Sequence, residues 1–189
     1  MSKQYSEGKG MTGNSLWYPK IEVMISEEKL ASRIRELGEQ LTEDYRDKEL
    51  VVVGILRGCF LFYADLVRHL QVPCHCEFMG ISSYGDNTHS SGVVKITSDL
   101  SMPIENKHVL IIEDIIDTGL TMRYLLDNLG TRRPASLKNC TLLHKPSGMK
   151  IDVPVDYAGF TIPDEFVVGY GLDYEGLYRN LSFIGVKRG

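Results

Sequence analysis

One stretch limits the possible folds of this chain more than any other. It is a short buried strand that ends in acids and leads into a glycine-containing loop. Residues 109–112 read Val-Leu-Ile-Ile, an apolar and mostly β-branched run typical of a strand buried on both faces. Glu113 and Asp114 follow at once, then the loop 117–121 (Asp-Thr-Gly-Leu-Thr), then an apolar pattern with helical spacing from Met122. This order predicts an open α/β sheet whose ligand site lies at the carboxyl end of the strand.

The loop has the chemistry of a phosphate site. Backbone N–H groups at the start of a helix attract an anion, and Gly119 allows the backbone to approach it closely. Thr118 and Thr121 add hydroxyl groups, while the absence of a following lysine excludes a Walker A loop. Carboxylates repel phosphate, so Glu113 and Asp114 need another task. Accepting hydrogen bonds from sugar hydroxyls and holding Mg2+ both fit.

Two simpler interpretations of the same residues are less favoured. The first is an acidic turn before a helix that is capped by Thr121, but three acids within five positions after a buried strand argue against it. The second is a response-regulator receiver domain, whose acids follow the first strand of the domain. Here about a hundred residues come before the acids.

The overall composition is that of an ordinary globular chain. With 189 residues, 43% of them hydrophobic, we expect a single domain over 1–189, with residues 1–20 forming a loose arm. A net charge of −4 without a long basic run argues against nucleic acid, and the longest apolar run (50–56) is too short to span a membrane. Without a signal-peptide core at the N-terminus, the expected compartment is the cytoplasm.

The four cysteines fit reduced thiols rather than a metal site. Cys74 and Cys76 would share one face of a strand, and no second ligand pair accompanies them. We therefore expect both to be core residues, and reduced thiols suit the cytoplasm.

A similar succession of strand, loop and helix occurs earlier in the chain, before residues 109–121. Residues 50–56 predict a central parallel strand that ends at Arg57 and Gly58, with a helix from 60 to about 70. Ser26 is expected to cap a scaffold helix that runs to about residue 45. Further strands are predicted at 76–81, 93–97, 136–143 and 155–160.

The stretch 113–121 (Glu-Asp-Ile-Ile-Asp-Thr-Gly-Leu-Thr) closely resembles the phosphoribosyl-pyrophosphate (PRPP) signature of type I phosphoribosyltransferases. Its form is similar to that of the 6-oxopurine branch, the hypoxanthine-guanine phosphoribosyltransferases, and the resemblance extends over about residues 17–185. It implies an α/β fold with a central, mostly parallel twisted sheet flanked by helices, a small hood and a mobile lid loop.

The resemblance also implies a role for each site residue. The ribose and 5′-phosphate would be bound by Glu113, Asp114, Asp117, Thr118, Gly119, Leu120 and Thr121. Pyrophosphate would be bound by Arg57, Gly58 and Arg179, next to a Leu56–Arg57 peptide that is often cis in the family. The purine would be bound by Lys145, Phe166, Val167 and Asp173, and the lid would include Ser83 and Tyr84. Glu113, Asp114 and Asp173 would hold or approach Mg2+.

The implied activity is purine salvage, in which PRPP and hypoxanthine or guanine give a nucleotide and pyrophosphate. Asp117 would be the general base, and the ammonium of Lys145 would donate to the 6-oxo group and disfavour adenine. The resemblance implies a homodimer or homotetramer. Alternatives are a PRPP-binding regulator and a phosphoribosyltransferase with another purine preference, such as xanthine. Without the resemblance, Lys145 could be a solvated charge and Phe166 a core residue.

Overall fold

The computed structural model describes residues 21–84 and 93–188, apart from the side chains of 83, 84, 93 and 94. The proposed arm 1–20 and the tip of the proposed lid, 85–92, lie outside the described residues. In chain order the elements are β1 (Ile21–Ile25), α1 (Glu27–Asp44), β2 (Leu50–Leu56), α2 (Phe60–His69), β3 (Cys74–Tyr84), β4 (Val93–Ser98), β5 (His108–Ile116), α3 (Leu120–Gly130), β6 (Ser136–His144), a 3-10 turn (Pro146–Gly148), β7 (Tyr157–Thr161), β8 (Val167–Val168) and β9 (Ile184–Lys187).

The main sheet has six strands in the order β4-β3-β2-β5-β6-β7. All neighbouring pairs are parallel except β3 with β4, which is antiparallel. The predicted fold class, a mostly parallel sheet flanked by helices, is therefore confirmed. The first helix begins as expected, since the Ser26 side chain accepts a hydrogen bond from the Lys29 N–H.

Alternate residues of the central strands explain why helices cover both faces. Leu50 and Val52 of β2 point to one core cluster, which also contains the apolar stripes of α1 and α2. Val51 and Val53 point to a second cluster, which contains Leu125 of α3 and its neighbours. Burial on both faces is what selects a continuous apolar run such as 50–56.

The seam between β2 and β5 opens at its carboxyl end. The two strands pair only as far as Gly54 opposite Ile112. Beyond that point β2 stays with β3 and β5 stays with β6, whose pairing continues to Ile116. The strand is thus longer than predicted, and Glu113 and Asp114 lie on it rather than after it. Because the strand order also changes direction here, the opening is the expected place for a ligand.

A second, three-stranded antiparallel sheet in the order β1-β9-β8 forms the predicted hood. In the main sheet, β3 runs three residues further than predicted because residues 82–84 pair with 93–95 of β4, which satisfies their backbone groups. No helix among the described residues is long and apolar enough to cross a membrane.

The cysteine prediction was wrong for Cys76. Its side chain is exposed and Cys74 is only partly buried, although both are free thiols as expected. Cys76 lies opposite Val52, on the same side of the sheet as α1 and α2. On that side the partly exposed Phe78 of β3 packs against Tyr63 of α2, with the ring centroids 4.5 Å apart. The covering helix thus leaves this part of β3 open to solvent.

Candidate active site

Two adjacent carboxylates form the floor of the opening between β2 and β5. Glu113 is buried with 6% of its surface exposed, and Asp114 is partly exposed. Burial, and then repulsion from Asp114, raises the pKa of Glu113 well above its usual range. Burial raises the pKa of Asp114 to about 6, although the hydrogen bond from the Ile115 N–H and the charge of Arg179 oppose this shift. A neighbouring cation would stabilise both ionised carboxylates.

These two acids fit Mg2+ only in part. Mg2+ in proteins is typically held by one or two carboxylates together with substrate phosphates. Within the described residues, no group of three His, Cys, Asp or Glu side chains is placed to hold a metal ion. Asp173 instead makes an ion pair with Arg179, with Oδ1 2.5 Å from Nη2. The side chains therefore suit an ion that arrives with a phosphorylated ligand.

The loop after β2 packs directly against Asp114. The Leu56–Arg57 peptide is cis, as the resemblance implied. A Cβ on Gly58 would lie 1.7 Å from Oδ2 of Asp114, so a larger residue at that position would have to displace the loop or the carboxylate. The Arg57 side chain is exposed at the same strand end. The loop after β2 thus packs against the acidic carboxyl end of β5 at the opened seam.

The loop after β5 has the form expected of an anion site. Gly119 adopts φ +80° as the cap residue of α3, and Leu120 is the first residue of the helix. The Thr118 carbonyl accepts hydrogen bonds from the N–H groups of Lys150 and Ile151, at 3.0 and 3.2 Å. These two hydrogen bonds attach the loop to the segment that follows the 3-10 turn. The helix cap is Gly119, so the alternative with Thr121 as the cap was wrong.

A cavity of about 260 Å³ lies over this loop. Its lining includes Glu113, Asp114, Asp117, Thr118, Gly119 and Thr121, together with the apolar Ile81 and Met122. A larger groove of about 750 Å³ lies at the opposite edge of the sheet, where β2 and β3 begin. That groove has no helix start and no strand-end acids, so the smaller cavity is the candidate site.

Lys145 is buried beside this cavity rather than solvated. Only 5% of its surface is exposed, and Nζ lies 3.7 Å from Oδ2 of Asp117 and 3.7 Å from Oδ1 of Asp164. Its N–H donates to the Ile116 carbonyl at 3.0 Å, which ties the β6 strand end to the end of β5. The other carboxylate oxygen of Asp117, Oδ1, lies close to Gly148, where an added Cβ would be 2.3 Å away. The turn after Lys145 therefore closely confines the Asp117 carboxylate.

The hood presents an exposed aromatic ring. Phe166 is 54% exposed and makes an edge-to-face contact with Tyr174, with the ring centroids 5.7 Å apart. Nζ of Lys187 lies 4.3 Å from the centre of the Tyr174 ring on the same surface. The alternative in which Phe166 is a core residue was wrong, whereas Val167 is buried in β8.

A glycine contact joins the hood to the loop after β2. Gly171 has φ +102°, and a Cβ there would lie 2.0 Å from the Gly58 carbonyl oxygen. Arg179 Nη1 donates to the Gly171 carbonyl at 2.6 Å. Arg179 and Asp173 are therefore held together next to the predicted pyrophosphate loop.

Sequence reasoning missed several residues that shape the site. Asp164 faces Lys145, Gly148 confines Asp117, and Gly171 packs on Gly58. The resemblance pointed to the neighbouring Phe166 and Val167, but no pattern in the sequence shows that Asp164 pairs with Lys145. The side chains of Ser83 and Tyr84, assigned to the lid, are not described; β3 extends through both.

Comparison with known proteins agrees with the geometry of the site, because the matching proteins are phosphoribosyltransferases. A sequence model of the phosphoribosyl transferase domain matches residues 24–175. Hypoxanthine phosphoribosyltransferase of Haemophilus influenzae is 54% identical over 168 residues, covering 87% of this chain and 94% of the relative. Hypoxanthine-guanine phosphoribosyltransferase of Bacillus subtilis is 50% identical over 166 residues, covering 88% and 92%. The chain belongs to the hypoxanthine-guanine phosphoribosyltransferase family.

Solved structures of this phosphoribosyltransferase family share the fold. The crystal structure of a hypoxanthine phosphoribosyltransferase from Staphylococcus aureus superposes with a TM-score of 0.89 at 47% identity. The match covers 94% of this chain and 97% of that one.

Proposed function

We propose that the protein transfers the 5-phosphoribosyl group of PRPP to hypoxanthine or guanine, which gives IMP or GMP and pyrophosphate. The arrangement of Lys145, Asp117 and the anion loop carries this proposal. A buried ammonium and a carboxylate lie 3.7 Å apart at the edge of a phosphate-type cavity. A 6-oxopurine offers an oxygen to the ammonium and a ring N–H to the carboxylate.

PRPP would lie across the opened seam. Thr118, Gly119, Leu120 and Thr121 would bind its 5′-phosphate through backbone N–H groups and hydroxyls at the start of α3. Glu113 and Asp114 would accept hydrogen bonds from the ribose hydroxyls. Arg57, Gly58 and Arg179 would bind the pyrophosphate, which leaves from the side of the β2 loop.

Mg2+ would be held by Glu113 and Asp114 together with the ligand, and Asp173 would approach it. When bound, it would neutralise charge on the departing pyrophosphate. The two acids would also favour the positive charge that develops on the ribose carbon as the pyrophosphate leaves.

The purine would lie between Lys145 and Phe166. Asp117 would take the proton from the attacking purine nitrogen, and Lys145 would donate to the 6-oxo group. A 6-amino group has no lone pair directed to an ammonium, so adenine is disfavoured. The exposed ring of Phe166 would stack on the base, and Val167 would offer backbone groups to the purine edge.

The setting of the reaction follows from the family resemblance. We propose a homodimer or homotetramer in the cytoplasm, with Ser83 and Tyr84 at the base of a closing lid. Free thiols at all four cysteines suit a reducing compartment.

One assay tests the proposal. Guanine, PRPP and Mg2+ are mixed with the purified protein, and nucleotide is followed by absorbance. We expect GMP and one equivalent of pyrophosphate. PRPP binding without turnover of guanine, and of hypoxanthine in a parallel assay, would contradict the proposal and favour a PRPP-binding regulator.

A further inference from the structure

The ammonium of Lys145 has two carboxylate neighbours, and the proposed reaction uses only one of them. Its side chain is 7% exposed, which makes an unpaired charge costly there. Asp117 approaches from the loop after β5, and Asp164 from the segment between β7 and β8. Among the described residues, these two are its ion-pair partners, and Lys145 is the only ion-pair partner of Asp164.

The two distances leave the ammonium able to bind a third group. Both carboxylate oxygens are 3.7 Å from Nζ, longer than a direct hydrogen bond. An ammonium has three donors. The two acids therefore fix the position of Nζ between them without using all of its donors, and a ligand oxygen can accept one.

The charge on Asp117 changes during the proposed reaction. When Asp117 takes the proton from the purine nitrogen, its carboxylate becomes neutral and its attraction for Lys145 falls. Asp164 is not among the residues that line the cavity, so the proposed proton transfer does not involve it, and its side chain is 65% exposed. It remains the one carboxylate that keeps the ammonium paired while the 6-oxo group is held.

Resting on the proposed function, we infer that Asp164 is a positioning residue for 6-oxopurine recognition: it holds the Lys145 ammonium in place and paired while Asp117 is neutralised. It acts through Lys145 and does not itself touch the reacting atoms. The neighbouring carboxylate, Glu165, is directed to Arg188 instead, at 3.2 Å, and so has no part in this arrangement.

The test is a double-mutant cycle with Asp164→Asn and Lys145→Met, with Glu165→Gln as the matched control. In the wild-type background, Asp164→Asn should lower kcat/KM for hypoxanthine and guanine about three- to tenfold. It should also narrow the preference over adenine and leave the KM for PRPP within about twofold. In the Lys145→Met background the same change should have no further effect, since the partner is already gone.

Two results would overturn the inference. One is an Asp164→Asn variant that matches Glu165→Gln in purine preference and in kcat/KM. The other is a loss that is equally large with and without Lys145, which would mean that Asp164 acts elsewhere. Circular dichroism and Tm verify that each variant is folded. A wild-type protein that makes no nucleotide would instead refute the proposed function.

Discussion

At the scale of single residues, the three acids of one short stretch differ because their surroundings differ. Glu113 and Asp114 lie in the opened seam, where burial raises the pKa of each. Asp117 is 45% exposed and lies beside a buried ammonium. The first two are therefore suited to a cation and hydroxyl groups, whereas Asp117 is suited to accept a proton from a ligand.

The role of Asp117 predicts a large and specific kinetic defect. Asp117→Asn keeps the size of the side chain but removes the base, so kcat should fall roughly 10²–10⁴-fold. The KM for PRPP should change by a much smaller factor than kcat, because the residues around Asp117 still bind the ribose and 5′-phosphate. Steady-state kinetics with hypoxanthine measures both, and Asp152→Asn, which alters an exposed carboxylate, is the control. An unchanged kcat would rule out the base.

The raised pKa of Asp114 predicts how stability depends on pH. Its native pKa of about 6 lies above the usual 3.8, so the native state binds the proton more tightly than the unfolded state. The contribution of Asp114 to the free energy of unfolding should therefore fall as pH rises through this window, and this loss is complete above about pH 6. Asp114→Asn should stabilise the metal-free protein by about 2–3 kcal/mol at about pH 7.5, and by less at about pH 5.

Urea unfolding at the two pH values, without Mg2+ or PRPP, measures this difference. Asp99→Asn is an informative control because it should change the free energy of unfolding in the opposite direction to Asp114→Asn. Hydrogen bonds from Arg132 lower the pKa of Asp99, so loss of that carboxylate should destabilise the protein at the higher pH. A destabilised Asp114→Asn at about pH 7.5 would contradict the account.

At the scale of elements, the apolar runs and caps were sufficient to locate the helices and the six strands of the main sheet, but not the three short strands of the hood. The run 50–56 and the Ser26 cap agree with β2 and α1. Errors arose where neighbouring strands or helices determine the length of a strand or the exposure of a side chain. The strand β5 continues through Glu113 and Asp114 because β6 still pairs with it, and no local pattern shows that partner. Cys76 is exposed because of where α2 lies, which is equally invisible in the strand itself.

The loop after β2 gives a prediction at this scale. A Cβ at Gly58 would overlap the Asp114 carboxylate, so Gly58→Ala must displace either the loop or the acid. We expect kcat/KM for PRPP to fall about 10–100-fold, because the pyrophosphate groups lose their alignment with the ribose site.

Gly130→Ala is the matched control for that substitution, since a Cβ at Gly130 meets nothing within 4 Å. Comparable kinetics for the two variants would mean that the contact between the β2 loop and Asp114 does not matter for PRPP.

At the scale of the whole molecule, the site depends on two separate parts of the fold. The main sheet supplies the two strand-end loops and Lys145, and the hood segment supplies Phe166, Asp173 and Arg179. The motif 113–121 was sufficient to predict two acids and a glycine-containing helix start at the carboxyl end of β5, whereas phosphate binding there stays a prediction. The pairing of Lys145 with Asp164, and the packing of Gly171 on Gly58, depend on how distant segments meet and could not be read from spacing.

The most direct test of the central claim is kcat/KM for hypoxanthine, guanine, xanthine and adenine, with and without Mg2+, in the wild type and in Lys145→Ala. The account predicts that hypoxanthine or guanine exceeds adenine by at least about a hundredfold, and that activity is lost without Mg2+. Lys145→Ala should reduce the ratio of kcat/KM for hypoxanthine or guanine to kcat/KM for adenine. Equal use of adenine by the wild type, or a preference unchanged in Lys145→Ala, would contradict it.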